Sequence, residues 1–256
     1  MGIKDIKTTI VEFIRDYIAK YSSDGAILGL SGGLDSSVVA ALAVEALGSE
    51  KVDAIALPYR TSNPSSLHDA YRIADFIGLD LKIIDITSAV DAVVENRQNI
   101  DQLRLGNICA RMRMIYLYDI SAESGKLVLG TGNRTEKLLG YFTLWGDSAC
   151  AIAPLGDLYK TQERKLAEHI GLPDWIISKT PTADLWRGQT DEDEMGITYE
   201  TADKILRAMF DENRTHDELI ETGFEEKNID LVITKYRSNQ FKRTMPPYPK
   251  LELHYE

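Results

Sequence analysis

An α/β fold with one doubly wound parallel sheet is predicted by three observations. Short apolar runs of strand length alternate with stretches of helical periodicity, a small-residue turn follows the first run, and a second such turn follows the fourth. Runs that are apolar without alternation are covered on both faces, the habit of parallel strands. With 256 residues, 44% of them hydrophobic, the chain has material for one large domain or two small ones. It contains no internal repeat and no low-complexity linker, so a single domain over 1–256 is expected.

Ile6 to Tyr21 opens the chain as a helix, with Ile6, Ile10, Phe13, Ile14, Tyr17 and Ile18 on one stripe. Ala26 to Leu30 reads as a buried strand, Ser36 to Leu47 as a helix, Val52 to Leu57 as a strand, Ser66 to Ile77 as a helix and Leu81 to Ile86 as a strand. A short helix follows near Ser88 to Val94. Leu103 to Glu123 is apolar around most of its circumference, which predicts a helix covered on several sides, by core or by a second subunit. Leu127 to Gly130 is the fourth strand, followed by the turn Thr131 to Asn133 and a short helix from Thr135. Ile152 to Pro154 is expected as a fifth, very short strand. Helices at Thr161 to His169, Tyr199 to Asp211, His216 to Ile220 and Glu226 to Asn239 complete the chain.

The formal net charge of -11 argues against nucleic acid or an anionic membrane as the partner, though a local cluster of Lys and Arg can still receive a small anion. Cys109 and Cys150 form no CxxC and read as buried free thiols. MGIKDIKTTIVEF has no signal-peptide core, and Ile6 stands where a myristoylation motif needs Ser or Thr. No apolar run reaches membrane-spanning length, so a cytoplasmic protein is expected. His68, His169, His216 and His254 show no metal-ligand spacing. QTDEDEMG resembles the start of a calcium loop, but Met195 and Ala202 occupy places that need oxygen ligands.

The segment Leu28 to Ser37, LGLSGGLDSS, looks like a loop built to hold pyrophosphate. Gly32 and Gly33 allow a tight turn and a close approach of the main chain to phosphate oxygens, and the following helix aims its free N–H groups at the same place. Hydroxyls of Ser31, Ser36 and Ser37 add donors. Asp35 helps there only if a cation bridges it to the phosphates, which implies magnesium. The GxxxxGK[ST] loop is excluded because the segment has no lysine, and GxGxxG by the spacing of Gly29, Gly32 and Gly33.

Two readings stay open at each of three further places. In LGTGNRTEKLLGYF, Glu136 either shares a magnesium ion with Asp35 or only satisfies a helix N-terminus. Lys160 is either a site residue or a solvated lysine ahead of a helix at Thr161. Arg111 and Arg113 are either ligand contacts or surface arginines. The acidic stretch Trp186 to Gly196 predicts a mobile loop, because Arg187, Asp191, Glu192, Asp193 and Glu194 bury poorly.

SGGLDSS, GNICARMRM, GTGNRTE, PLGDLYKTQ, KTPTADLW and QTDEDEMGITY occur in the order, and at about the spacing, of the ammonia-dependent NAD synthetases, and the chain resembles that family over nearly its whole length. The resemblance implies a Rossmann-like fold of the adenine nucleotide alpha hydrolase kind with extra helices. It implies a ligase that uses ATP to amidate nicotinic acid adenine dinucleotide (deamido-NAD) with ammonia through an acyl-adenylate, giving NAD, AMP and pyrophosphate. Gly29, Leu30, Ser31, Gly32, Gly33, Leu34, Asp35 and Ser36 would hold the ATP phosphates, and Thr131, Lys160 and Thr182 would contact ATP as well. Asp35 and Glu136 would bind Mg2+ and, with Lys160, form the catalytic set.

Arg111, Asp147 and Lys242 match positions on the dinucleotide side. Leu144, Ala151 and Phe241 stand there too, where a better-known bacterial branch has a lysine, an aspartate and a histidine, so this branch lacks those polar contacts. The family implies a homodimer with the dinucleotide near the subunit interface, and a mobile loop at 184–197 over the site. No glutaminase segment is visible, so free ammonia is the expected nitrogen donor. Two other readings compete: amidation of another carboxylate, such as a nucleotide, and a non-catalytic module that senses ATP. The charge and the missing cysteine pairs disfavour tRNA thiolation.

Overall fold

Ala26 lies between Val52 on one side and Leu127 on the other, which makes β1 (Ala26–Gly29) a central strand. The computed structural model describes residues 1–21, 23–182 and 188–251. With β2 (Val52–Ala56), β3 (Leu81–Ile83) and β4 (Leu127–Val128), β1 forms a parallel sheet in the order β3-β2-β1-β4. The chain moves outward from β1 to β3 and then crosses back to place β4 on the far side of β1. The order therefore reverses between β1 and β4, where open α/β sheets bind ligands.

Alternate residues of β1 feed two cores. Ala26 and Leu28 pack with α1 (Ile3–Lys20), α2 (Leu34–Leu47) and α3 (Pro64–Ile77), joined by Leu166 and Ala167 of α7 (Lys160–His169). Ile27 points the other way, to Ile55, Val128, Val90 of α4 (Thr87–Val94) and Cys109 of α5 (Gln102–Ser124). Both faces are thus covered, as the unbroken apolar runs require. Full burial of side chains such as Ile27 and Ile55 contributes about 1.5–3 kcal/mol each. A third core joins α6 (Arg134–Leu139), α9 (Asp191–Met195), α10 (Tyr199–Phe210), α11 (His216–Glu221) and α12 (Glu226–Ser238) beyond the sheet.

The fold class is the one predicted, with four differences in detail. Ile152 makes one parallel bridge to Leu129 rather than a fifth strand, because the chain turns away immediately on both sides. The short helix α8 (Asp174–Ile177) lies in a stretch to which the sequence pattern assigned no element; four residues are too few to show a period. Helix α9 lies in the stretch expected to be a loop. Within this chain α5 buries only Gly106, Cys109 and Ala110, and leaves Leu103, Ile115 and Tyr118 exposed. Its outer face is therefore not covered by core. Positions 184–187 of the expected mobile loop, and His254, lie outside the described residues.

Candidate active site

Between β1 and α2 the main chain turns through Gly32, whose φ of +75° is left-handed. A Cβ at Gly32 would stand 2.2 Å from the Ser66 carbonyl oxygen and 2.7 Å from the Ala70 nitrogen, so only glycine fits against α3. Gly33 is the N-cap of α2 and offers no side chain to the N–H groups behind it. They remain open to the cleft. Ser36 and Ser37 are buried, and their hydroxyls donate to the Gly33 carbonyl at 3.2 and 2.7 Å. Back-bonding of this kind is the habit of residues one turn into a helix, and Ser36 Oγ also lies 3.1 Å from Ser31 Oγ. Ser31 stays exposed, and its Oγ accepts the Gly33 N–H at 3.2 Å.

The turn after β4 delivers the facing half. Asn133 caps α6 in a reciprocal box with Glu136, accepting its N–H at 3.1 Å while the Asn133 N–H donates to Glu136 Oε2 at 3.3 Å. The buried Asn133 amide nitrogen also lies 2.9 Å from Asp35 Oδ1, 2.8 Å from Glu136 Oε1 and 3.3 Å from Glu163 Oε2. Glu136 thus satisfies its helix start and faces Asp35 at the same time. Lys160, 1% exposed, is the first residue of α7 and not a solvated lysine ahead of it. Its Nζ stands 2.5 Å from both Asp35 oxygens, 3.7 Å from Glu163 and 3.8 Å from Glu136.

One lysine here meets more carboxyls than it can balance. Burial raises the Asp35 pKa, but Lys160, with hydrogen bonds from Glu163, Lys160 and Asn133, outweighs it and holds Asp35 below the usual range. Burial, and then the Asp35 charge, push Glu136 up to about 8. The same two causes raise fully buried Glu163, and burial raises Asp191. Burial lowers the Lys160 pKa, yet its carboxylate neighbours outweigh that and keep it charged. Asp35 and Glu136 offer only oxygen donors, and a divalent cation between them would relieve the repulsion and burial that hold Glu136 protonated. They fit a magnesium ion held by two carboxylates and completed by phosphate oxygens and water.

A cleft of about 780 Å³ opens over this cluster. Among the expected residues, Gly29, Leu30, Ser31, Gly33, Leu34, Asp35, Thr131, Glu136, Lys160 and Thr182 line it, as do Asp147 and Lys242 from the dinucleotide side. Lys242 donates to the Gly140 and Phe142 carbonyls at 2.8 and 2.9 Å, and Asp147 accepts the Thr143 N–H at 2.8 Å. Gly32 and Ser36 lie within the loop behind the lining. Arg111 turns outward, its Nε and Nη2 3.3 and 3.2 Å from the Leu144 carbonyl, and Arg113 lines the cleft, 2.9 Å from the Leu57 carbonyl. Ala151 is held by its N–H to Val128, and Phe241 is exposed. Neither lines the cleft of the single chain, nor does Leu144.

Several residues of the cluster escaped the sequence reading. Asp191 is buried, not exposed, because Tyr141 and Tyr199 each donate a hydroxyl to it at 3.1 Å; Tyr199 also lies 3.2 Å from Glu136. Asn133 carried a signal, Asn-x-x-Glu at a helix start, and so did Glu163, one turn after Lys160. Nothing local marks Asp203, and Lys179, outside the cluster, opens the KTPTADLW segment without having been given a role.

A model of the NAD synthase family matches residues 6–246. The chain is 42% identical over 252 residues to the NH(3)-dependent NAD(+) synthetase of Fusobacterium nucleatum subsp. nucleatum, covering 98% of each chain. An NMN synthetase structure from Francisella tularensis superposes with a TM-score of 0.87 at 31% identity, over 98% of this chain and 100% of that one. An NH3-dependent NAD synthetase from Campylobacter jejuni does so with a TM-score of 0.84 at 35% identity, with the same coverage. With its SGGLDS turn, paired carboxylates and buried lysine in one cleft, and with this match along its length, the chain belongs to the NAD synthase family.

Proposed function

We propose that the protein is an ammonia-dependent NAD synthetase, a ligase that forms a carbon–nitrogen bond using ATP. The observation that carries this reading is the convergence of the SGGLDS loop with Asp35, Glu136 and Lys160 in one cleft, within a chain that matches such synthetases from end to end. The acceptor carboxylate of deamido-NAD attacks the α-phosphorus of ATP; the new C–O–P link forms as the bond to pyrophosphate breaks. Ammonia then attacks the acyl carbon, the bond to AMP breaks, and the nitrogen loses a proton as the amide of NAD appears.

The protein supplies no nucleophile to either step. Open amides of the loop and of the start of α2 hold the departing pyrophosphate, and Lys160 adds a fixed positive charge in a largely dry setting. Asn133 fixes the directions of Asp35 and Glu136 through its amide. Mg2+, which Asp35 and Glu136 would hold, supplies charge neutralisation at the phosphate oxygens when bound. The exposed Ile115 and Tyr118 of α5 support a homodimer. No helix among the described residues is long and apolar enough to cross a membrane.

A second acceptor is favoured by the superposition on an NMN synthetase, and by Leu144 and Ala151 at places where a better-known branch carries polar dinucleotide contacts. Nicotinic acid mononucleotide is then the carboxylate. Purified protein given MgATP and ammonium with equal amounts of the two acids tests both readings. Preferential NAD with matched AMP supports the dinucleotide reading, and preferential NMN with matched AMP replaces it. ADP as the nucleotide product, or no turnover, overturns the adenylation chemistry.

A further inference from the structure

Lys179 stands outside the carboxylate cluster and has no part in the roles described so far. Its Nζ donates to the Gly32 carbonyl at 2.7 Å and to Asp69 Oδ2 at 2.7 Å, and it lines the same cleft as Ser31, Gly33 and Asp35. An ammonium group has three donors, and these two contacts leave one. The Gly32 contact matters because a carbonyl beside a phosphate site is repulsive. With φ at +75°, Gly32 turns its carbonyl to Lys179, and the lysine neutralises it.

Asp69 is itself held in place. Arg72, one turn later on α3, reaches its other oxygen at 3.6 Å, and the Arg72 guanidinium lies 3.7 Å over the Trp175 ring of α8. The stretch from α8 to Lys179 is thereby tied to α3, and α3 is the wall against which Gly32 packs. Lysine, aspartate and glycine form one unit at the mouth of the phosphate loop.

We propose that Lys179 is a second phosphate-binding cation of this enzyme, contacting the phosphoryl groups that leave as pyrophosphate while it positions the Gly32 peptide, with Asp69 as the residue that holds it. This rests on the adenylation reading of the cleft. Two cations, one at Asp35 and one at the Gly32 carbonyl, then divide the work: Lys160 is locked to Asp35, whereas Lys179 keeps a free donor for the departing group. Charge-assisted contacts of this kind change binding about 10–100-fold.

The test measures product inhibition by inorganic pyrophosphate and the KM for ATP in the wild-type enzyme and in Lys179→Met, Lys179→Arg and Asp69→Asn. Expected is a rise of about 10–100-fold in the inhibition constant and in the ATP KM for Lys179→Met, with the KM for the acceptor acid unchanged. Lys179→Arg restores pyrophosphate inhibition to within a few-fold, and Asp69→Asn gives an intermediate loss. If Lys179→Met inhibits like wild type, or differs only in its thermal midpoint, the proposal falls. Should Lys179→Met fail to fold, the Asp69→Asn and Lys179→Arg pair decides, since a purely structural lysine predicts normal inhibition constants in both. Wild-type AMP formation is measured first: its absence overturns the adenylation reading, whereas its presence with unaltered variants overturns only the role of Lys179.

Discussion

Thr135 and Asp203 share a buried hydrogen bond of 2.5 Å that joins α6 to α10. The same threonine oxygen accepts the Lys160 N–H at 3.0 Å, and the other Asp203 oxygen accepts the Thr161 N–H at 2.8 Å. The start of α7, and with it Lys160, is therefore fixed by two residues that do not reach the cleft lining. Thr135→Val keeps the shape and orphans both partners. It should lower unfolding free energy by about 1–3 kcal/mol and reduce kcat, while Thr135→Ser restores both. Denaturant melts with parallel AMP assays check this.

Asp35→Asn deletes a charge at nearly constant volume. Turnover should drop by about 10²–10³-fold or more, as on removal of one charge-stabilising group, with the circular dichroism spectrum unchanged. Full activity in this variant would sink the assignment of Asp35 as a metal ligand.

Two glycines with nearly equal φ separate strain from contact. Gly32→Ala meets backbone atoms at 2.2 and 2.7 Å, whereas a Cβ at Gly78, φ +72°, meets nothing within 4 Å. Gly78→Ala should cost only about 1 kcal/mol and keep full activity. Gly32→Ala should lose ATP binding and cost more than that. Equal effects of the two, by calorimetry and nucleotide titration, would contradict the packing described.

His216 Nε2–H donates to Asp230 at 3.2 Å, and the ring lies 3.5 Å from Asp217, with Glu226 close by on α12. The Asp230 hydrogen bond raises its pKa above the ordinary 6.5. A raised histidine stabilises the fold fully below pH 6.5, and that contribution disappears as pH climbs through the raised value. The gap in thermal midpoint between wild type and His216→Gln should therefore be open at pH 5.5 and closed at pH 9. A gap independent of pH would contradict the pairing.

Ile115 is 52% exposed on the outer face of α5. If that face joins two copies, Ile115→Asp should convert the wild-type dimer to a monomer in sedimentation velocity. A wild-type monomer, or a dimer unaffected by this change, refutes the interface.

What was legible in the sequence follows from range. β1, α2 and the turn at Gly32 are specified within about twenty residues, and the apolar runs report the covered sheet directly. β4 is another matter: two residue pairs suffice because its neighbours close the edge, so the expected length of Leu127 to Gly130 was too generous. Asp191 looked solvated among its acidic neighbours, and only the two tyrosines, which come from 50 residues before it and 8 after, explain its burial. Asp203 occupies a buried position on the apolar face of α10, where a lone acid is easily read as a break in the stripe. Glu163 is comparable: its partners are Lys160 on its own helix and Asn133, thirty residues earlier.

The reversal of strand order between β1 and β4 also governs when the enzyme comes into being during synthesis. Asp35 leaves the ribosome long before its partners, with Asn133 98 residues later and Lys160 125 residues later. Closures over such distances are the slow events of folding. A nascent or truncated chain that ends before β4 carries the phosphate loop without its second carboxylate and without its lysine. On the adenylation reading, such a fragment should bind no metal at the loop and release no AMP from ATP.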